Sequence, residues 1–365
     1  MNNHEDNLSA LDRLGAAVGG KRTAILMHNN PDPDSFAAAT ALRHLLRVRF
    51  HVHSTIFYAG IVGRAQNRAM VELLRIPLHS ARHLDLKRYP SVVLVDTQPA
   101  AGNNALPAKV TPRAIIDHHR PIRKATRRAA FVDVRPHYGA VATILTEYLL
   151  AARIPIPANI ATALFYGIKT DTYDLGREAS DADVAAYKNL VERVDKIRLS
   201  RIEHPLRQRA YFQQIHTALE NAVSADDVLF THVTQMPYPD IVAEIADWLF
   251  TLRNVSAVLV AGQTKDGRML LSLRLRRRRL DASRVIRGIV GHQGAAGGHG
   301  MIAGGEIHLP DDSPKSFARE LARVRERYRT LFVKSKRGAP RRFAPLCEHH
   351  RPKSFVSKIG LFHSS

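Results

Sequence analysis

The sequence predicts an α/β protein: a mostly parallel sheet flanked by helices, a helical linker, and then a smaller α/β unit. Three observations carry that prediction. Short Val/Ile-rich runs alternate with helical runs through the first half, which is the pattern of a parallel sheet covered on both faces. A charged, weakly patterned stretch follows, from about 178 to 225. From about 226 a new set of strand signals begins, together with a glycine-dense segment. The expected divisions are residues 1–177, 178–225 and 226–333, with a basic tail over 334–365.

The elements follow in order. "TAILMH" (23–28) is a short apolar run suited to a buried strand, and "SFAAATALRHLL" (35–46) is helical. "FHVHSTIFY" (50–58) reads as a strand and "GRAQNRAMVELL" (63–74) as a helix. "SVVLVD" (91–96) and "PRAIID" (112–117) are strands that each stop at an Asp. "YGAVATILTEYLLAAR" (138–153) is a helix broken by "IPIP", and "ANIATALFYGIKTD" (158–171) is a helix ending near Asp171. In the second half "DVLFTHVT" is a strand. "VSAVLVAGQTKDGRMLLSLRLR" is a hairpin turning at Lys265-Asp266-Gly267. "DASRVIRGIV" (281–290) is a helix with an Asp or Ser cap. The glycine-dense "GHQGAAGGHGMIAGGEIHL" ends in a strand, and an amphipathic helix closes the unit.

Composition narrows the function classes. No apolar run reaches 18 residues, so no transmembrane helix and no membrane partner are expected. The polar, acidic "MNNHEDNLSALDRL" lacks the apolar middle of a signal peptide. One cysteine, Cys347, excludes an internal disulfide framework and a thiolate zinc cluster. A cytoplasmic setting is expected. The net charge of +21 favours phosphate-rich partners without proving nucleic-acid binding. The tail from Lys334, with three prolines and an excess of Lys and Arg, reads as a loosely docked or solvated segment.

Four segments place Asp or His where α/β folds concentrate function. They are His28, Asp32 and Asp34; Asp96; Asp117, His118 and His119; and Asp171. Singly, each has an ordinary explanation. Asp34 or Ser35 would cap a helix, Asp96 would begin a turn, and "DHH" and "KTDT" would be solvated ends. Jointly, the ordinary explanation must hold at every point around one sheet. Carboxylates and imidazoles without thiols suit Mn²⁺, Mg²⁺ or Co²⁺. Two such ions about 3.5–4 Å apart would convert a shared water to hydroxide and clamp the phosphate it attacks.

At these residues the sequence resembles the DHH phosphoesterase superfamily. "HNNPDPDSFAAATAL", "LVDTQP", "IIDHHR" and "YGIKTDT" resemble its four motifs in the right order. "GAAGGHGMIAGG" resembles the glycine-rich loop of the DHHA1 substrate domain, and "LSLRLR" the strand supplying its phosphate-binding Arg. The resemblance covers roughly 20–330 and is nearest to the oligoribonuclease/pAp-phosphatase type.

The resemblance implies a catalytic DHH domain over 1–177 and a DHHA1-type substrate domain over 226–333. It implies that His28 and Asp32 bind one Mn²⁺ ion, that Asp34, His118 and Asp171 bind a second, and that Asp96 bridges them. His119 would face the scissile phosphate and Asp117 would orient the neighbouring His. Arg274, Gly297, Gly298 and His299 would hold the substrate's far end. The implied activity is hydrolysis of short oligoribonucleotides, 3′-phosphoadenosine 5′-phosphate or linear dinucleotides. A homodimer is compatible with it.

The sequence departs from the family pattern at Pro33, Ala296 and Ile302. Arg276 joins Arg274 on one face of its strand, opposite Leu273 and Leu275. Arg276 is a further candidate substrate contact, and Arg276 to Arg279 otherwise read as a solvated turn. Arg64, Asn67 and Arg68, and "RPIRKATRR" (120–128), read either as extensions of a positive groove or as ordinary surface. Tyr138 and Tyr173 are candidates for base stacking. The rival readings are a single-strand exonuclease, an inorganic pyrophosphatase with the same metal motifs, and a basic RNA-binding or regulatory protein without catalysis.

Overall fold

The computed structural model describes residues 3–276, 280–332 and 343–346. The chain divides between Leu206 and Arg207 into two compact units. In the first, helix α1 (Asn3–Val18) precedes β1 (Thr23–Asn29), α2 (Pro33–Phe50), β2 (Ser54–Ala59), α3 (Ala65–Leu73) and β3 (Leu78–Ser80). Then come β4 (Ser91–Val95), β5 (Ala114–Asp117), β6 (Phe131–Val134), α4 (Val141–Ala151), α5 (Ala158–Asp171), α6 (Asp181–Val191) and α7 (Lys196–Glu203). The six strands run in the order β3-β2-β1-β4-β5-β6, and every pairing is parallel.

Helix α1 was not among the elements read from sequence. Its apolar residues Leu11, Leu14 and Val18 recur at helical spacing and are buried. Helices α2, α4 and α5 pack together through small residues. A Cβ at Gly167 would stand 3.0 Å from Ala37 Cβ and 3.1 Å from Asp34 Cα. That absent side chain lets α5 approach the start of α2. Helices α6 and α7 bury Ala186, Leu190 and Ile202 in the same core. The charged stretch after 178 therefore packs in part on the first sheet unit.

The second unit begins with α8 (Arg209–Glu220), β7 (Val223–Ala225), β8 (Val228–Val233) and α9 (Ile241–Leu249). It continues with β9 (Ala257–Gln263), β10 (Arg268–Leu275), α10 (Ala282–Val290), β11 (Gly294–His299), β12 (Ile302–His308), α11 (Pro314–Phe332) and the short β13 (Ala344–Pro345). Its seven-stranded sheet has the order β11-β12-β10-β9-β8-β7-β13 and is antiparallel except between β8 and β9. The expected hairpin is β9–β10, with Gly267 at φ +73° in the turn. Asp281 caps α10 through Arg284 N, as its sequence predicts. Apart from residues 343–346, the tail lies outside the described residues, as do Arg277 to Arg279. Among the described residues, no helix is long and apolar enough to cross a membrane.

Candidate metal centre

Strands β1 and β4 are neighbours, and the chain winds outward from them in opposite directions. The crevice at their carboxyl ends is therefore the switch point where such sheets bind ligands. His28 lies at the end of β1, Asp96 directly follows β4, and Asp117 ends β5 just before His118 and His119. Asp171 is the last residue of α5. Asp96 has φ +61°, an unusual conformation for a residue other than glycine. That turn brings its carboxylate among His28, His118 and His119.

The helix after β1 starts differently from the sequence expectation. Asp32, not Asp34 or Ser35, is the cap, and its side chain accepts from Ser35 N at 3.0 Å. Pro33 takes the first helical position, where its missing N–H costs nothing. The cap is thereby fixed at the preceding residue. Asp34 turns inward and is fully buried. Its two oxygens accept from Val141 N at 2.7 Å and Ala142 N at 2.8 Å, the first amides of α4.

Three sets of side chains place possible ligand atoms within 4.8 Å of one another: His28, Asp32 and Asp96; Asp34, His118 and Asp171; and Asp96, His118 and His119. His28 Nε2 lies 3.6 Å from Asp32 and 3.4 Å from Asp96. His118 Nε2 lies 3.4 Å from Asp171 and 3.7 Å from Asp96. These separations are long for hydrogen bonds. They suit atoms that share a small cation, whose ligands sit about 2.0–2.2 Å from it. The buried atoms Asp96 Oδ1 and His118 Nε2 have no hydrogen-bond partner. Orphaned buried groups of this kind call for a missing ion or water. The other Asp96 oxygen accepts from Ser35 Oγ at 2.5 Å.

The imidazoles are oriented by their far nitrogens. His28 Nδ1 pairs with the Asn29 carbonyl at 2.9 Å and His118 Nδ1 with the Tyr138 carbonyl at 3.0 Å. Carbonyls only accept, so both Nδ1 atoms carry the proton and both Nε2 atoms can offer a lone pair. His119 Nδ1 pairs with Asp117 Oδ1 at 2.8 Å, and its side chain is 43% exposed. Its Nε2 is then the atom it can present to a ligand.

The cluster's electrostatics show the same demand for positive charge. Burial first, and Asp96 second, push Asp34 up to about 8. Burial, with Asp34 next, holds Asp171 well above the usual carboxylate range. Burial opposes charge on His118, but Asp171, Asp96 and Asp34 outweigh it and raise it to about 9. Burial likewise opposes charge on His28, yet Asp32 and Asp96 hold it well above the ordinary imidazole value. Burial would raise Asp32 and Asp117, but the partners His28 and His119 hold both low. Without cations, this site takes up protons. The donor set fits two divalent ions.

One residue that sequence reasoning left unassigned sits behind the site. Gln98 Nε2 donates to Asp117 Oδ2 at 2.7 Å and to the His119 carbonyl at 3.0 Å. Its Oε1 accepts from Arg123 N at 2.7 Å and Thr126 Oγ1 at 2.9 Å. The available signal was a Gln two residues past a strand-ending Asp. Asp183 was also missed. It is buried and accepts from Gly139 N at 2.8 Å, bracing the loop whose carbonyl orients His118.

Other candidates fall elsewhere. Tyr138 is only 8% exposed and its hydroxyl is engaged by Arg135 and Glu147, so it is not open for base stacking; Tyr173 is 73% exposed. Asn67 is buried and donates to the Pro31 carbonyl at 3.2 Å, while Arg68 folds back onto Gly63. In the second unit Arg274 is 4% exposed and its Nε donates to Asp247 at 2.5 Å, so its guanidinium is tied to α9. Arg276 lies over the Phe250 ring, 4.5 Å from its centroid. Gly298 has φ +152°, and a Cβ there would stand 2.4 Å from the Ile302 carbonyl oxygen, so the strand pair requires glycine. A Cβ at Gly297 would meet nothing within 4 Å. The side chain of His299 lies outside what the structure describes.

Residues 22–168 match the model of the DHH family, N-terminal domain, and residues 228–328 match that of the DHHA1 domain. An uncharacterized protein of Methanocaldococcus jannaschii is 34% identical over 78% of this chain and 58% of its own length. A probable manganese-dependent inorganic pyrophosphatase of Lactobacillus delbrueckii subsp. bulgaricus is 27% identical over 47% of this chain and 55% of its own. This chain thus spans just over half the length of these curated relatives. Among solved structures, an exopolyphosphatase-related protein from Bacteroides fragilis superposes with a TM-score of 0.69 at 14% identity, covering 89% of this chain and 97% of that one. RecJ from Thermus thermophilus in complex with Mn²⁺ gives 0.50 at 14% identity, covering 87% and 54%. At such identities these structures share the fold.

Proposed function

The chain belongs to the DHH phosphoesterase superfamily, and from that premise we propose that it is a Mn²⁺-dependent hydrolase of phosphate esters in short oligoribonucleotides or nucleotides such as 3′-phosphoadenosine 5′-phosphate. One observation carries this reading. Two triads, His28–Asp32–Asp96 and Asp34–His118–Asp171, each with one buried carboxylate, meet at the switch point with Asp96 Oδ1 and His118 Nε2 left unpaired. His28 and Asp32 would hold one ion, Asp34, His118 and Asp171 the other, with Asp96 between them. Bound ions would supply an activated water and neutralise charge on the phosphate. His119, held by Asp117, would donate from Nε2 to a phosphate oxygen as charge builds there. Burial and Asp117 act in opposition on His119, and the net effect raises its proton affinity, which suits a donor. The manganese named for the Lactobacillus relative supports the choice of metal.

Pyrophosphate hydrolysis is the second reading, because that same relative is named for it. The DHHA1 match over 228–328 favours a nucleotide-bearing substrate instead. The test is a side-by-side assay of 3′-phosphoadenosine 5′-phosphate, a diribonucleotide, pyrophosphate and a long single strand, with Mn²⁺, Mg²⁺ or Co²⁺. The expected result is Mn²⁺-dependent turnover of one of the first two, at least ~10-fold above the others. Preferential pyrophosphate release, or no turnover of any substrate, would overturn the proposal.

A further inference from the structure

We propose that the basic loop 120–128 binds backbone phosphates of a single-stranded oligonucleotide beyond the bond that is cut. This deepens the reading above and rests on it: the preferred substrate becomes a chain of several phosphates rather than a lone nucleotide.

The loop leaves β5 directly after His118 and His119. It carries Arg120, Arg123, Lys124, Arg127 and Arg128, all exposed. Among the described residues, none of these five side chains has an ion-pair partner. Some cations of the same unit are matched, as Arg49 is with Asp12, Arg135 with Asp133 and Glu147, and Lys169 with Glu203. Five like charges within nine residues repel one another, and a polyanion relieves that repulsion.

An unanchored charge run would be an ordinary solvated loop. This one is anchored to the catalytic constellation. Thr126 is fully buried, and both Thr126 Oγ1 and Arg123 N bond to Gln98 Oε1. The other end of the same carboxamide holds Asp117 Oδ2 and the His119 carbonyl. One side chain therefore fixes the basic loop against the pair expected to face the scissile phosphate. Residues 124–128 form a 3-10 turn, which brings Lys124 and Arg127 onto one side. A diffuse cationic surface would need no such tie.

The experiment uses the full chain with Arg123→Gln, Lys124→Gln, Arg127→Gln and Arg128→Gln combined. All four side chains are exposed, and Gln98 and Thr126 stay intact. A wild-type melting temperature confirms folding. Binding of a fluorescein-labelled pentaribonucleotide is read by anisotropy without added metal, between 50 and 200 mM salt. Each single-strand phosphate contact contributes about 0.7 to the salt slope, so four contacts predict a slope shallower by roughly 2–3. Hydrolysis with Mn²⁺ is measured on the pentanucleotide and on a dinucleotide. The expected loss in kcat/KM on the pentanucleotide exceeds that on the dinucleotide by at least ~10-fold. An unchanged salt slope, or equal losses on both substrates, overturns the proposal. A protein that hydrolyses neither substrate yet shows loop-dependent binding sinks the hydrolase reading and keeps the loop assignment. Hydrolysis with loop-independent binding does the reverse.

Discussion

Replacing Asp96 with Asn should inactivate the enzyme and remove much of its stabilisation by metal. Asparagine keeps the shape of the side chain, can still accept from Ser35 Oγ, and tolerates the φ of +61° found there. Alanine would add about 1 kcal/mol or more of backbone strain and confuse the result. Asp34 is moved from the ordinary 3.8 to about 8, by burial first and by Asp96 second. At about 1.4 kcal/mol per tenfold change in proton affinity, ionising it in the fold costs on the order of 5 kcal/mol. Asp96 also favours the charge on His28 and His118, so its neutralisation removes repulsion and attraction together. Mn²⁺ at about a hundred times its Kd should stabilise the wild type by about 2.7 kcal/mol, or roughly 5–10 °C. The variant should gain less than half of that and lose at least ~1,000-fold in turnover. Thermal melts in chelator and in Mn²⁺, paired with phosphate release, check both. The reasoning fails if the variant keeps the wild-type Mn²⁺ increment and still turns over.

Two further outcomes follow from the same geometry. Asp34, Asp171, His28 and His118 all have raised proton affinity in the fold, so the native state binds more protons than the unfolded chain across neutral pH. Stability from these groups is present at lower pH and is lost as pH rises, through about 8 for Asp34 and about 9 for His118. Metal-free melting temperatures should therefore fall from pH 6 to pH 9, while the Mn²⁺ increment grows; a flat or rising metal-free profile contradicts this. His119→Ala should cut turnover by roughly 100- to 1,000-fold while keeping most of the Mn²⁺-induced rise in melting temperature. Loss of that rise would make His119 a ligand rather than a phosphate donor.

The parallel sheet and the four Asp/His segments were legible in the chain because each is written in residue types. Apolar runs such as 91–95 bury as strands, and carboxylates or imidazoles follow them directly. The β9–β10 hairpin and the Asp281 cap were readable for the same reason. Helix α1 was passed over because its apolar spacing is diluted by Asn, Glu and Asp.

What only the tertiary structure decided is how the ligand side chains are held. The Tyr138 carbonyl orients His118, and the amides of Val141 and Ala142 hold Asp34 from more than a hundred residues away. Every residue carries a carbonyl and nearly every one an amide, so such contacts leave no mark in the sequence. The capping of the helix by Asp32 rather than Asp34 and the burial of Arg274 against Asp247 likewise depend on which neighbours the packed helices present. Residue type determined which chemistry was available; long-range backbone contacts determined where it points.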